Sequence, residues 1–140
     1  MSITFAAECE FCVTDDGRGF HFYDIGTGAT PVVLLHGLFG SPANWLQIMH
    51  DLSDHYRFLA LQLPIDFRDD RRHPTIKSIS QLTDHVERFF DEMDLDRAVL
   101  CGNSIGGQVS LDFHARHPER IEKLILSGSA GLNERSLAGG

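Results

Sequence analysis

Ala98-Val99-Leu100-Cys101-Gly102-Asn103-Ser104-Ile105-Gly106 is the stretch on which the fold turns. Its first four residues are a short apolar run that suits a strand buried on both faces. A helix is predicted from about Ile105 to Arg116. His117-Pro118 closes it, because proline cannot continue a helix. Between strand and helix lies only Gly102-Asn103-Ser104-Ile105-Gly106. A turn that sharp places Ser104 in a strained backbone conformation and projects its Oγ above the sheet. Gly102 and Gly106 let neighbouring backbone pass without a Cβ clash. The helix N-terminus supplies unpaired N–H groups and a positive dipole end, which suit developing negative charge. Ser104 is therefore the candidate nucleophile, with Gly102 and Gly106 in support.

Upstream, Pro31-Val32-Val33-Leu34-Leu35-His36 is a second buried run. His36-Gly37-Leu38-Phe39-Gly40 follows it. A site that stabilises an oxyanion needs two backbone N–H groups aimed at one point. Those of Leu38 and Ile105 are the candidates. Gly37 and Gly40 allow the loop to bend its N–H inward, and His36 is expected to orient this loop rather than act as a base.

The remaining elements fall around these two. Strands are predicted at residues 3–5, 10–14 and 20–25, with a turn at Asp15-Asp16-Gly17. Ser41-Pro42 starts a helix as N-cap and first residue. Trp45, Ile48, Met49 and Leu52 form its apolar face. Residues 56–63 form a strand and residues 66–75 a polar loop. Ser78 and Gln81 have capping-box spacing. Ile79, Leu82, Val86, Phe89, Phe90 and Met93 then line one side of a helix. Ile121–Ser127 is a last apolar strand. This alternation predicts an α/β fold with a mostly parallel sheet and helices on both faces, the early antiparallel strands extending one edge.

The 140 residues are 42% hydrophobic, which fits one globular domain. A net charge of −8 argues against nucleic acid and anionic membrane surfaces as partners. No apolar run approaches a membrane span, and Met1-Ser2-Ile3-Thr4-Phe5 does not read as a secretory leader, so a cytoplasmic location is expected. Cys9 and Cys12 have C-x-x-C spacing but no second ligand pair, and are read as reduced thiols. Cys101 is read as a small buried residue. No metal site is predicted.

On residues 36–40, Gly102-Asn103-Ser104-Ile105-Gly106-Gly107 and His117-Pro118-Glu119-Arg120, the chain resembles the α/β-hydrolase superfamily. Within it, the chain is similar to cofactor-free esterases, carbon–carbon bond hydrolases and haloperoxidases, and the elbow is closest to the carbon–carbon hydrolase form. The resemblance covers essentially the whole chain but only the N-terminal half of the family. Residues 1–140 are thus expected to be the N-terminal part of a single α/β-hydrolase domain, truncated before the cap and the last strands. It implies a serine hydrolase without cofactor, attacking an ester-like or diketone carbonyl of a small-molecule substrate. Where the family usually continues Pro-Gly-His-Gly, this chain reads Pro64-Ile65-Asp66-Phe67.

The family places its acid and then its histidine after later strands. Here only His114 and His117 follow Ser104, and His114 lies about 15 Å along the helix that Ser104 opens. Neither reaches Oγ. His21, His50, His55, His73 and His85 are read as surface residues, and Glu134 as a poor substitute for the acid. The family Asp and His are absent, so the chain alone is expected to be inactive or a fragment. The alternative is a non-catalytic small-molecule binding module on the same fold. An apolar sheet edge at residues 121–127 is expected to favour self-association.

Overall fold

The computed structural model describes residues 10–13, 19–65 and 78–128. Among these residues six strands form one sheet: β1 (Glu10–Val13), β2 (Gly19–Gly26), β3 (Val32–Leu35), β4 (Arg57–Leu61), β5 (Ala98–Asn103) and β6 (Ile121–Ser127). Their order is β1-β2-β4-β3-β5-β6. β1 and β2, and β2 and β4, pair antiparallel; β4, β3, β5 and β6 run parallel. The expected edge extension by early antiparallel strands is borne out. The predicted strand at 3–5, the turn at 15–17, the loop at 66–75, Cys9, His73 and Glu134 lie outside the described residues.

Among the described residues three α-helices accompany the sheet: α1 (Leu46–Asp51), α2 (Ile79–Glu92) and α3 (Ile105–Arg116). β3 is buried at all four positions, as a central parallel strand must be. Alternation along it sends Val33 and Leu35 to one face and Val32 and Leu34 to the other. The first face carries the larger core: Leu59, Leu61 and Leu100 meet Leu82, Val86, Phe89 and Phe90 of α2 and Val109 and Phe113 of α3. On the second face Phe58, Ala60 and Cys101 meet Met49 of α1. Each fully buried leucine or phenylalanine contributes ~1.5–3 kcal/mol relative to exposure. Helices on both faces are thus required by the sequence of β3 itself.

The helix starts follow the sequence closely. The Ser78 hydroxyl accepts the Gln81 N–H at 3.2 Å, and Gln81 Oε1 accepts the Ser78 N–H at 3.1 Å. Ser41 also caps, its hydroxyl accepting the Ala43 N–H at 3.3 Å and its N–H donating to Asn44 Oδ1 at 2.7 Å, but the turn it opens, Pro42–Trp45, is 3₁₀. Two expectations are corrected. Ile48 is 45% exposed, and Leu46 packs inward in its place. The helix centres its apolar arc on Met49, and Ile48 stands about 100° away. His85 is 8% exposed rather than on the surface, its ring 4.8 Å from that of Phe20. It lies one turn from Leu82 and Phe89 on the inward side of α2.

Candidate active site

The direction of the crossovers locates the site. From β3 the chain passes through α1 to β4 on one side, then through α2 to β5 on the other. The carboxyl ends of β3 and β5 therefore diverge around a crevice, the usual ligand position in an open α/β sheet. His36 and Gly37 leave β3 at this crevice, and Asn103 and Ser104 leave β5.

Ser104 has φ 56° and ψ −118°. Among the described residues only Asp94 and Ser104 are non-glycines with positive φ. Such a conformation costs of order 1–3 kcal/mol and persists only where the surroundings impose it. Here they do. The Ser104 N–H donates to the Ser127 carbonyl at the end of β6, 3.1 Å away. Its carbonyl accepts the Gly107 and Gln108 N–H groups that begin α3. A Cβ on Gly102 would overlap the Gly106 carbonyl and the Ser110 hydroxyl, and one on Gly106 would overlap the carbonyls of Leu35 and His36. The two glycines thus act where the sequence placed them. Ser104 is half-buried, and its Oγ makes no hydrogen bond among the described residues.

Gly37 faces this serine: a Cβ there would stand 3.4 Å from the Ser104 Cβ. Residues 37–40 form a turn closed by the Gly40 N–H on the Gly37 carbonyl, 3.0 Å. The N–H groups of Leu38 and Ile105 have no backbone acceptor among the described residues. Phe39, at the tip, is 86% exposed.

His36 is 1% exposed and its ring is fully used. Nε2 accepts the Leu63 N–H at 2.9 Å and lies 3.1 Å from Gln62 Nε2. Nδ1 lies 2.7 Å from the Gly37 carbonyl. A backbone N–H can only donate, so Nε2 is the unprotonated nitrogen and Nδ1–H donates to Gly37. Burial holds the imidazole below its ordinary pKa, partly offset by the Gly37 bond. Both ring nitrogens are thus committed, one to the segment after β4 and one to the Gly37 turn.

A cavity of about 240 Å³ lies here, lined by His36, Gly37, Asn44, Trp45, Asn103 and Ser127. Asn44, Trp45, Asn103 and Ser127 were not named as site residues from the sequence. They come from three separate elements, and only the fold unites them. A larger cavity, about 460 Å³, opens at the opposite end of the sheet between Arg57, Asp94, Arg97 and Glu122. It is remote from the elbow. His114 is exposed, and His117 Nε2 lies 3.0 Å from Glu87 Oε1 on α2. Both are at the far end of α3, as the distance along the helix required. Cys101 is a buried free thiol whose pKa burial raises.

The alpha/beta hydrolase fold family matches residues 30–138. The chain belongs to this α/β-hydrolase family. It is 35% identical over 132 residues to a 2-hydroxy-6-oxo-2,4-heptadienoate hydrolase of Pseudomonas putida, covering 91% of this chain and 47% of that protein. It is 31% identical to a 2-hydroxymuconate semialdehyde hydrolase of a Pseudomonas species, covering 81% of this chain and 41% of the relative. A carboxylesterase of Bacillus subtilis superposes with a TM-score of 0.71 at 25% identity, over 89% of this chain and 44% of that one. The chain thus spans less than half the length of each of these three. No helix among the described residues is long and apolar enough to cross a membrane.

Proposed function

We propose that Ser104 is the nucleophile of a serine hydrolase, with the N–H groups of Leu38 and Ile105 as its oxyanion donors. The observation that carries this reading is the positive-φ Ser104 at the β5–α3 junction, its Oγ unbonded among the described residues and its Cβ beside Gly37. Oγ adds to the carbonyl carbon, its proton passes to a base, and the carbonyl electron pair moves to an oxygen held by the two N–H groups. Loss of one such donor typically costs ~3 kcal/mol of transition-state stabilisation. Collapse expels the leaving group, which takes up a proton, and water then releases the acyl group. The substrate class is a small molecule with an ester or a diketone carbon–carbon bond, by likeness to the named relatives. No histidine among the described residues is in hydrogen-bond contact with Ser104, so base and acid are assigned to residues outside them.

The same observation favours a second reading, a binding module in which Ser104 only donates a hydrogen bond to its ligand. A fluorophosphonate probe separates the two in the natural gene product. Stoichiometric modification of Ser104, located by mass spectrometry and lost in Ser104→Ala, supports the enzyme. An unmodified Ser104 beside tight, non-turning ligand binding supports the module.

A further inference from the structure

Gln62 directly follows β4 and is half-buried. Its amide lies 2.9 Å from the Leu63 carbonyl, so the group facing that oxygen is the nitrogen, a donor. The same nitrogen lies 3.1 Å from His36 Nε2. The Leu63 N–H reaches Nε2 as well. Two donors thus converge on one ring nitrogen, and protonating it would set N–H against N–H.

The consequence runs along the ring. With Nε2 held as acceptor, the proton stays on Nδ1 and is given to the Gly37 carbonyl, 2.7 Å away. Gly37 C=O and Leu38 N–H belong to one trans peptide plane and point in opposite directions. Fixing the carbonyl on His36 therefore directs the Leu38 N–H away from it. We propose that Gln62 is a positioning residue for the oxyanion loop, holding His36 in the Nδ1–H form that aims the Leu38 N–H. Its importance for catalysis rests on the reading of Leu38 as an oxyanion donor. The tautomer it imposes does not.

Gln62 is the side chain that joins the Leu63 N–H in this role. Among the described residues the groups bonded to the ring are Gln62 and Leu63 after β4 and Gly37 of the turn, and Asn44, Trp45, Asn103 and Ser127 line the cavity beside His36. None is charged. Burial and hydrogen bonds, rather than ion pairs among these groups, set the protonation of His36.

The test pairs a donor-only with an acceptor-only side chain at position 62. Ring ¹⁵N shifts of His36 are followed against pH in the natural gene product, as wild type, Gln62→Lys, Gln62→Leu and Gln62→Glu. Wild type and Gln62→Lys are expected to keep Nδ1–H and to resist protonation. Gln62→Glu places a carboxylate beside Nε2, and the His36 pKa should rise by about one unit or more. Gln62→Leu should fall between. Alongside, the rate of fluorophosphonate modification of Ser104 in Gln62→Glu, relative to wild type, should fall as His36 becomes protonated. Gln62→Lys should restore the wild-type rate. An Nε2–H tautomer in wild type overturns the proposal, as does a Gln62→Glu titration that matches wild type. If Gln62→Glu does not fold, equal His36 titration in wild type and Gln62→Leu overturns it instead. Failure of Ser104 to react in wild type defeats the nucleophile assignment and leaves the tautomer result standing.

Discussion

At Ser104 stability and the proposed chemistry are opposed. Its φ of 56° is a conformation that glycine adopts without strain, and a serine there is held by the Ser127 and Gly107 bonds. Ser104→Gly is expected to raise the unfolding free energy by about 1 kcal/mol, because relief of strain outweighs the added chain entropy. Ser104→Ala retains the strain and should change stability little. Urea unfolding of the pair checks this, and equal stability would mean that the elbow stores no strain. His36 gives a pH prediction of definite sign. Unfolded, it titrates near 6.5; folded, its pKa is lowered by burial. The unfolded chain then binds more protons between the two values, so stability is complete above about pH 6.5 and declines as pH falls through the folded value. Between about pH 7.5 and about pH 5.5, wild type should lose more stability than His36→Gln. Parallel losses would show that His36 is not held neutral. The contact of His36 with the turn was legible from its place between a buried strand and a glycine turn. Gln62 was not, because its contact with His36 spans 26 positions and no local pattern marks it.

At the scale of elements, α2 and α3 are joined by side chains at their polar margin as well as by their apolar faces. Arg116 Nη1 donates to Asp84 at 2.7 Å and Glu87 at 2.9 Å; Nη2 donates to Ser80 Oγ at 2.8 Å and lies 3.1 Å from Asp112. These bonds, with that to Asp84 foremost, raise the pKa of Arg116. A planar fork serves several acceptors at once, which a lysine ammonium cannot match. Arg116→Lys should destabilise by only about 1 kcal/mol, because the paired side chains are a quarter to a half exposed and water screens them. Most of that loss should vanish in about 1 M salt. A salt-independent loss would point to packing instead. The elements were easiest to read where local signals agreed. α3 has the bounds that Ser104 and His117-Pro118 implied, and α2 begins at its capping box. α1 was harder, because a 3₁₀ turn precedes it and it is too short to show a full apolar stripe. His85 was misread because a polar residue type outweighed its helical position.

At the scale of the molecule, the parallel core and its antiparallel extension followed from two continuous apolar runs and the alternation of elements. The strand order, and with it the crevice between β3 and β5, came from where each crossover lands, which hydrophobic pattern does not encode. The same order leaves β6 at one edge of the described sheet, bonded only to β5. Ile125 on this strand is 49% exposed, and an edge with free N–H and C=O groups and apolar side chains is a template for another strand. Only Glu122 and Lys123 oppose such pairing, and both lie at the strand's beginning. The 140-residue chain is therefore expected to self-associate with rising concentration, another copy adding to β6. Ile125→Lys places a charge in the apolar half of that edge, where pairing would strand it against a neighbour, and should return the chain to a monomer. Sedimentation velocity over a dilution series measures both. A wild-type chain that sediments as one monomeric species throughout, with Ile125→Lys indistinguishable from it, would show that this edge is closed to a second copy.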